Sequence, residues 1–134
     1  MTNDDQKPRT ALVVDDDDDI RALIAYKLRQ ADFVVEEAVN GEDGLAAALE
    51  TLPDVILLDW MMPKLSGIEV LLRLKDTVAT ERVPVIMLTA RAQESEIERG
   101  FAAGADDYIV KPFSTRELHS RVQAVLARTS TTAT

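Results

Sequence analysis

Short apolar runs alternate with amphipathic stretches along most of this chain. Five of the runs predict β-strands, at Ala11–Val14, Phe33–Val35, Val55–Leu58, Val85–Leu88 and Tyr108–Val110. The first, third and fourth runs contain apolar residues alone, a pattern typical of strands that are buried on both faces of a parallel sheet. We therefore expect helices to cover both faces of this sheet.

Apolar positions between the runs recur at helical spacing and predict five helices. Their inward faces are Ile20, Leu23, Ile24 and Leu28; Leu45, Ala48, Leu49 and Leu52; Ile68, Leu71 and Leu72; Ile97 and Phe101; and Leu118, Val122, Val125 and Leu126. The fourth helix, roughly Gln93 to Ala103, has the thinnest apolar pattern, which is typical of a locally unstable element. The alternating order implies right-handed crossovers and a doubly wound α/β fold.

Helix-capping side chains mark where three of these helices begin. Asn40 precedes the second helix, and two Ser–Glu pairs, Ser66 with Glu69 and Ser114 with Glu117, have the spacing of capping boxes. These signals support the alternation of strands and helices that the apolar pattern predicts.

Polar residues follow four of the predicted strands. They are the run Asp15–Asp19 after the first, Asp59 after the third, Thr89 after the fourth and Lys111 after the fifth. Ligands of doubly wound sheets bind at the carboxyl ends of the strands, so we expect these residues to converge. Asp15, Asp16 and Asp59 would concentrate negative charge that Mg²⁺ can offset. Lys111 and Thr89 would then contact a phosphoryl group, with Asp59 as a carboxylate nucleophile.

Each of these residues also has a plain structural explanation. Acids such as the Asp15–Asp19 run are favoured at a helix start by the helix dipole. Asp59 could cap a turn, Thr89 could be structural, and Lys111 could be an ordinary surface lysine. The phosphoryl-transfer hypothesis therefore depends on all four features arriving together at strand ends.

The composition limits the kinds of protein that this chain can be. Its 134 residues suit one domain, and its formal net charge of −9 disfavours direct binding to nucleic acid or to an anionic membrane. The chain has no cysteine, which excludes disulfides, thiolate catalysis and cysteine zinc sites. The polar start and the lack of a long apolar run favour a cytoplasmic protein. We expect a flexible leader at 1–8, one folded domain at 9–128 and a flexible tail or linker start at 129–134.

Over the whole of that domain, the chain resembles a response-regulator receiver domain of two-component signalling. The resemblance is carried by VVDDD at 13–17, LLDWMMP at 57–63, Gly67, LTA at 88–90, GADDYIVKPF at 104–113 and the last amphipathic helix. It implies a flavodoxin-like (βα)₅ fold with strand order 2-1-3-4-5. The ending GADDYIVKPFSTREL is most similar to the receivers of winged-helix transcription factors.

The resemblance also implies a role for each residue at the strand ends. Asp59 would be the phosphoacceptor, phosphorylated by a sensor histidine kinase or a phosphotransfer protein. Mg²⁺ would be bound by Asp16 directly, by Asp15 mainly through water, by Asp59, and by the backbone carbonyl of Met61. Lys111 would contact the phosphoryl group, and the Lys111–Pro112 bond would be cis.

A conformational switch and a pairing surface follow from the same resemblance. Thr89 would pair with a phosphoryl oxygen and couple to the rotamer of Tyr108, which would turn inward. The fourth helix, fifth strand and fifth helix would then form a homodimer face. Its predicted residues are Ile97, Asp106, Asp107, Glu117 and Arg121. Ile97 stands where the family usually has a basic residue.

A phosphatase and a cofactor carrier are the alternatives to a signalling switch. Phosphatases with an aspartate nucleophile resemble one another in a DxD motif, in which a second acid two residues after the nucleophile acts as acid and base. In this chain that position is Met61. A flavodoxin-like carrier of FMN would need a glycine-rich phosphate cradle, which the loops lack, and an acidic site would repel the phosphate. The residue after Asp59, Trp60, is predicted to be partly exposed.

Overall fold

Five parallel strands form one sheet in the structure, a computed structural model that describes residues 7–90 and 93–132. The strands are β1 (Thr10–Val14), β2 (Val34–Ala38), β3 (Val55–Asp59), β4 (Val85–Thr89) and β5 (Asp107–Val110). Over the same residues, the helices are α1 (Asp18–Gln30), α2 (Gly41–Thr51), α3 (Gly67–Lys75), α4 (Glu94–Ala103) and α5 (Thr115–Thr132). The strand order 2-1-3-4-5, with every pair parallel, confirms the predicted doubly wound α/β fold.

Helices bury the sheet on both faces, as the continuous apolar runs predict. Leu12 and Ile56 belong to the core on one face, together with residues of α2 and α3. Their strand neighbours Val13 and Leu57 point to the other face and pack with residues of α1 and α5. All residues of β3 and β4 are buried, because successive side chains alternate between two covered faces.

The ends of the domain bear on the predicted leader and tail. Most of the leader, 1–8, lies outside the described residues, as do the last two residues of the tail, 129–134. The helix α5 continues to Thr132. Among the described residues, no helix is both long and apolar enough to cross a lipid bilayer.

The second strand lies at Val34–Ala38 and not at Phe33–Val35, so the predicted bounds are wrong. β2 is at the edge of the sheet, beside β1. Its Glu36 and Glu37 are exposed, so this strand carries acids where a central strand has apolar residues. An apolar run therefore marks its start and misses its charged second half.

The three predicted helix starts are confirmed by their hydrogen bonds. Asn40 caps α2 through its side chain, and Ser66 and Glu69 form both hydrogen bonds of a capping box at α3. Ser114 Oγ accepts a hydrogen bond from the Glu117 N–H at 3.0 Å, at the start of α5. Local side-chain chemistry alone was enough to locate these helix starts.

Some apolar residues that were predicted to face the core are exposed instead. They are Leu23, Leu49, Leu52, Leu72 and Phe101. In α2 the buried residues are Gly41, Gly44 and Ala48, and a Cβ on Gly44 would lie only 2.7 Å from Val14 Cγ1. This close approach of helix and strand favours small residues on the inner face. Leu52 lies beyond the last turn of α2, with a left-handed backbone (φ 47°).

Replacing Leu71 by Ala should lower the free energy of unfolding by about 2–5 kcal/mol, the usual range for truncating a buried leucine. Leu71 is fully buried, whereas its neighbour Leu72 is 50% exposed. Leu72→Ala is therefore the matched control, with an expected change below about 1 kcal/mol. Urea unfolding followed by circular dichroism measures both variants. Equal losses would contradict the orientation of α3.

Candidate functional site

Three carboxylates meet at the carboxyl end of the sheet. Because β1 and β3 are neighbours, with Val14 paired to Leu58, Asp15 and Asp59 emerge side by side. One carboxylate oxygen from each of Asp15, Asp16 and Asp59 lies within 4.8 Å of the others. Asp15 and Asp59 are buried and Asp16 is exposed, so the cluster reaches solvent on the Asp16 side.

The ammonium group of Lys111 contacts both buried carboxylates. Its Nζ donates a hydrogen bond to Asp15 Oδ2 at 2.9 Å and another to Asp59 Oδ1 at 3.3 Å. The backbone N–H of Lys111 donates to the carbonyl of Thr89 at 2.7 Å, which ties the ends of β4 and β5 together. The Lys111–Pro112 peptide bond is cis. The structure thus brings together the four strand ends selected from the sequence.

The electrostatics of this cluster favour the addition of a cation. Burial, helped by the negative charge of Asp15, raises the pKa of Asp59 to about 7, although Lys111 acts in the opposite direction. Burial by itself would lower the pKa of Lys111. The hydrogen bond to Asp15 and the charges of Asp59 and Asp15 outweigh burial, so this pKa lies above its ordinary value. A few hard carboxylate oxygens beside open solvent suit Mg²⁺, which keeps several water ligands.

Much of the aspartate run has a structural role. Asp17 caps α1 by accepting hydrogen bonds from two N–H groups of its first turn. Asp15 is held from two sides, because its Oδ1 accepts from the Asp17 N–H and its carbonyl accepts from Arg21 Nη1, each at 2.9 Å. Arg21 also pairs with Asp18 at 2.7 Å and with Glu37 at 3.2 Å. The sequence analysis missed this positioning role of Arg21, for which the i,i+3 spacing from Asp18 was a weak signal.

Gly67 allows the start of α3 to pack directly on the end of β3. A Cβ at this position would overlap the carbonyl oxygen of Asp59. The Gly67 N–H donates a hydrogen bond to the Trp60 carbonyl at 2.9 Å. Lack of space for a side chain therefore accounts for glycine at this position, which is one of those that carry the family resemblance.

Trp60 is buried, with 7% of its surface exposed, so the predicted partial exposure is wrong. Its ring centroid lies 6.2 Å from that of Tyr108. The helix α4 covers the indole so closely that a Cβ on Gly100 would lie 3.0 Å from Trp60 Cζ3. The side chain of the next residue, Met61, is 62% exposed, and the metal-binding role of its carbonyl stays a prediction.

Tyr108 lies inward, beneath α4. Its ring is buried and meets Phe101 edge-on, at a centroid distance of 5.0 Å. The hydroxyl donates to the carbonyls of Ile97 and Glu96, at 3.2 and 3.4 Å. Burial, together with the charge of Glu96, raises the pKa of Tyr108, so the hydroxyl stays protonated at neutral pH. Thr89 is buried at the end of the adjacent strand, and its predicted coupling to Tyr108 stays a prediction.

The residues predicted for a pairing face lie on or beside α4, β5 and α5. Arg121 Nη1 lies 3.1 Å from Asp107 Oδ1, and Arg121 Nε lies 3.1 Å from Glu117 Oε2. Asp106 accepts a hydrogen bond from the first N–H of β4 at 2.8 Å, and Ile97 packs partly buried against the core. These charges pair within one chain here, and their use between subunits stays a prediction.

Comparison with known proteins agrees with this geometry. Residues 11–123 match the family model of the response regulator receiver domain. The phosphate regulon transcriptional regulatory protein PhoB of Rhizobium meliloti strain 1021 is 50% identical over 116 residues, which are 87% of this chain and 51% of that protein. The transcriptional regulatory protein ResD of Bacillus subtilis strain 168 is 49% identical over 121 residues, 90% of this chain and 49% of ResD.

Solved structures extend the likeness to the fold. The chemotaxis protein CheY4 of Vibrio cholerae has a TM-score of 0.85 and 32% sequence identity, covering 89% of this chain and 99% of CheY4. The match therefore covers nearly all of the solved CheY4 chain, whereas this chain spans about half the length of the curated relatives it matches.

Proposed function

The chain belongs to the response regulator receiver domain family of two-component signalling, and from this premise we propose that phosphorylation of Asp59 operates it as a switch. The observation that carries the proposal is the Lys111 ammonium, which contacts both Asp15 and Asp59 in an acidic, cation-compatible cluster. A buried carboxylate beside a fixed cation can act as a phosphoryl acceptor.

In the proposed reaction, a carboxylate oxygen of Asp59 attacks the phosphorus of a phosphohistidine on the donor protein. An O–P bond forms, the P–N bond breaks, and the imidazole leaves with the bonding electrons and takes up a proton. Lys111, which contacts Asp59 before the reaction, moves to a phosphoryl oxygen, and the Thr89 hydroxyl donates to another. Mg²⁺, held by Asp15, Asp16, Asp59 and the Met61 carbonyl, would offset negative charge on the transferring group.

The phosphatase alternative is not supported. The family that the chain matches is a signalling family. Met61, in the position of a second catalytic acid, has a side chain with no titratable group and points into solvent. A carboxylate that accepts a phosphoryl group without that acid would serve as a switch, with turnover limited to its own phosphorylation and dephosphorylation.

The proposed partners follow from the family and from the names of the relatives. The phosphoryl donor is a sensor histidine kinase or a phosphotransfer protein in the cytoplasm. PhoB and ResD are named as transcriptional regulatory proteins, so we propose that residues 9–128 form the receiver half of a similar regulator. The net charge of −9 argues that this chain itself does not bind nucleic acid or membrane.

The proposed output is a homodimer through α4, β5 and α5. Arg121, Asp107 and Glu117 would exchange their ion pairs within the chain for pairs across a twofold axis. Ile97 would supply an apolar contact. Because exposed ion pairs contribute little, this exchange by itself would change the free energy of pairing only slightly.

Hydrogen exchange with a phosphoryl mimic tests the switch. Adding Mg²⁺ with beryllofluoride should change amide exchange across residues 89–121 and leave α1 unchanged, because Thr89 and Tyr108 lie on adjacent strands under α4. Omitting Mg²⁺ should remove the effect. Unchanged exchange over 89–121 would contradict the switch, and sedimentation of the same samples tests the dimer separately.

A further inference from the structure

The hydroxyl end of Tyr108 occupies a notch in α4 that exists because residue 100 is glycine. A Cβ on Gly100 would overlap the Tyr108 hydroxyl oxygen and lie 2.6 Å from Tyr108 Cζ. Side-chain atoms do not approach so closely, so the ring and any side chain at this position exclude each other. Gly100 is also the buried residue of α4, a helix whose other described side chains are exposed or half-buried.

Backbone conformation does not explain this glycine. Gly100 lies inside α4, whereas the left-handed backbone at the end of that helix belongs to Gly104, with φ 113°. Glycine in a helix interior is less favourable than alanine by about fivefold in the folding equilibrium. We therefore attribute the glycine at position 100 to the space that the Tyr108 ring requires.

The inward position of Tyr108 depends more on this space than on hydrogen bonding. The hydroxyl lies 3.2 and 3.4 Å from its two acceptor carbonyls, longer than the ~2.7–2.8 Å usual for such bonds. The ring itself contacts Trp60 and Phe101, at centroid distances of 6.2 and 5.0 Å. Aromatic packing therefore stabilises the inward ring, and the absence of a side chain on Gly100 gives it the room that it needs.

We propose that Gly100 is the positioning residue of the receiver switch: its missing side chain keeps open the site on α4 that the Tyr108 ring occupies when it turns inward. This role rests on the proposed phosphorylation of Asp59. A side chain at position 100 expels the ring and so removes the inward state. Because coupling between sites is reciprocal, the factor by which activation at Asp59 favours the inward ring is also the factor by which the inward ring favours activation, so losing the inward state weakens activation by that coupling factor.

A double-mutant cycle on the intact chain tests the notch without any phosphoryl donor. Gly100→Ala should lower the folding equilibrium constant about 5- to 100-fold in the natural chain, as overpacking does. In a Tyr108→Ala background, the closest remaining contact of the new Cβ is Trp60 Cζ3 at 3.0 Å, so the loss should disappear or become a gain of up to about fivefold, the helix preference of alanine. The control is Glu98→Ala, at an exposed residue of the same helix, and it should change the folding equilibrium constant by the same factor in both backgrounds. The same effect of Gly100→Ala in both backgrounds would overturn the proposal.

Beryllofluoride binding in the presence of Mg²⁺ tests the link to the switch. Gly100→Ala should bind this mimic roughly tenfold more weakly than the natural chain, the size of a typical coupling free energy. Nuclear Overhauser contacts between Tyr108 and Trp60 should be lost in the variant, whereas a merely structural glycine would leave them in place. Equal beryllofluoride affinity, with the cycle as expected, would overturn the role in switching. Failure of the natural chain to bind the mimic would instead reject the proposed function itself, with the notch still measured by the cycle.

Discussion

Asp59→Asn should abolish phosphorylation by acetyl phosphate, because an amide of the same shape cannot act as the nucleophile. Intact-mass analysis after incubation with acetyl phosphate and Mg²⁺ should show the added phosphoryl group on the natural chain and none on the variant. In the natural chain, peptide mapping should place the group on Asp59. Asp76→Asn, at an exposed carboxylate, is the control and should be modified normally. A phosphorylated Asp59→Asn protein would move the nucleophile to another residue.

The same variant should be more stable than the natural chain in Mg²⁺-free buffer at pH 8. Burial and the charge of Asp15 raise the pKa of Asp59 to about 7 in the folded chain, so its ionised form opposes folding. That cost is fully present above the folded pKa, shrinks as pH falls, and is gone below the ordinary carboxyl pKa, where the group is neutral in both states. Urea unfolding at pH 8 and pH 4 should therefore show a stability gain that shrinks at the lower pH. A stability gain that is the same at both pH values would reject the ionised Asp59 carboxylate as its cause.

Lys111→Met should slow phosphorylation by acetyl phosphate about 100-fold or more, the loss expected when one fixed charge donor is removed from a transition state. Lys111 Nζ contacts Asp59 directly and is the group placed to receive a phosphoryl oxygen. Binding of Mg²⁺ should persist, because Asp15, Asp16 and Asp59 remain. Lys111→Met thus separates a defect in phosphoryl transfer from loss of the cation.

The time course of the phosphorylated mass measures this rate, and Trp60 fluorescence follows Mg²⁺ binding. Lys27→Met, which removes a lysine from α1, is the matched control and should react at the natural rate. Lys111→Arg keeps the charge but not the compact ammonium, so its phosphorylation rate should lie between the rates of the natural chain and of Lys111→Met. A normal rate for Lys111→Met would remove this lysine from the proposed mechanism.

The apolar pattern, with the polar residues that follow the apolar runs, was sufficient for the doubly wound α/β class and for the location of the chemistry, whereas the strand order 2-1-3-4-5 followed from the family resemblance. Continuous apolar runs identified β3 and β4 as strands covered on both faces, and both are fully buried. Parallel strands with right-handed crossovers place all their carboxyl ends at one edge of the sheet. Asp15, Asp59 and Lys111 could therefore be assigned to a common site from positions far apart in the sequence.

Tertiary contacts decided the features that local patterns do not encode. Leu72 has helical spacing suitable for the core, yet it is exposed, because the sheet covers only part of the circumference of α3. Trp60 follows a strand end yet is buried, because α4 closes over it. The notch at Gly100 and the support of Asp15 by Arg21 depend on distances between separate elements. The sequence by itself determined which strand ends carry the reactive groups, since that follows from chain order and apolar periodicity. The close packing of helices on the sheet decided which side chains have room to move, and hence how the site can be coupled to α4 and β5.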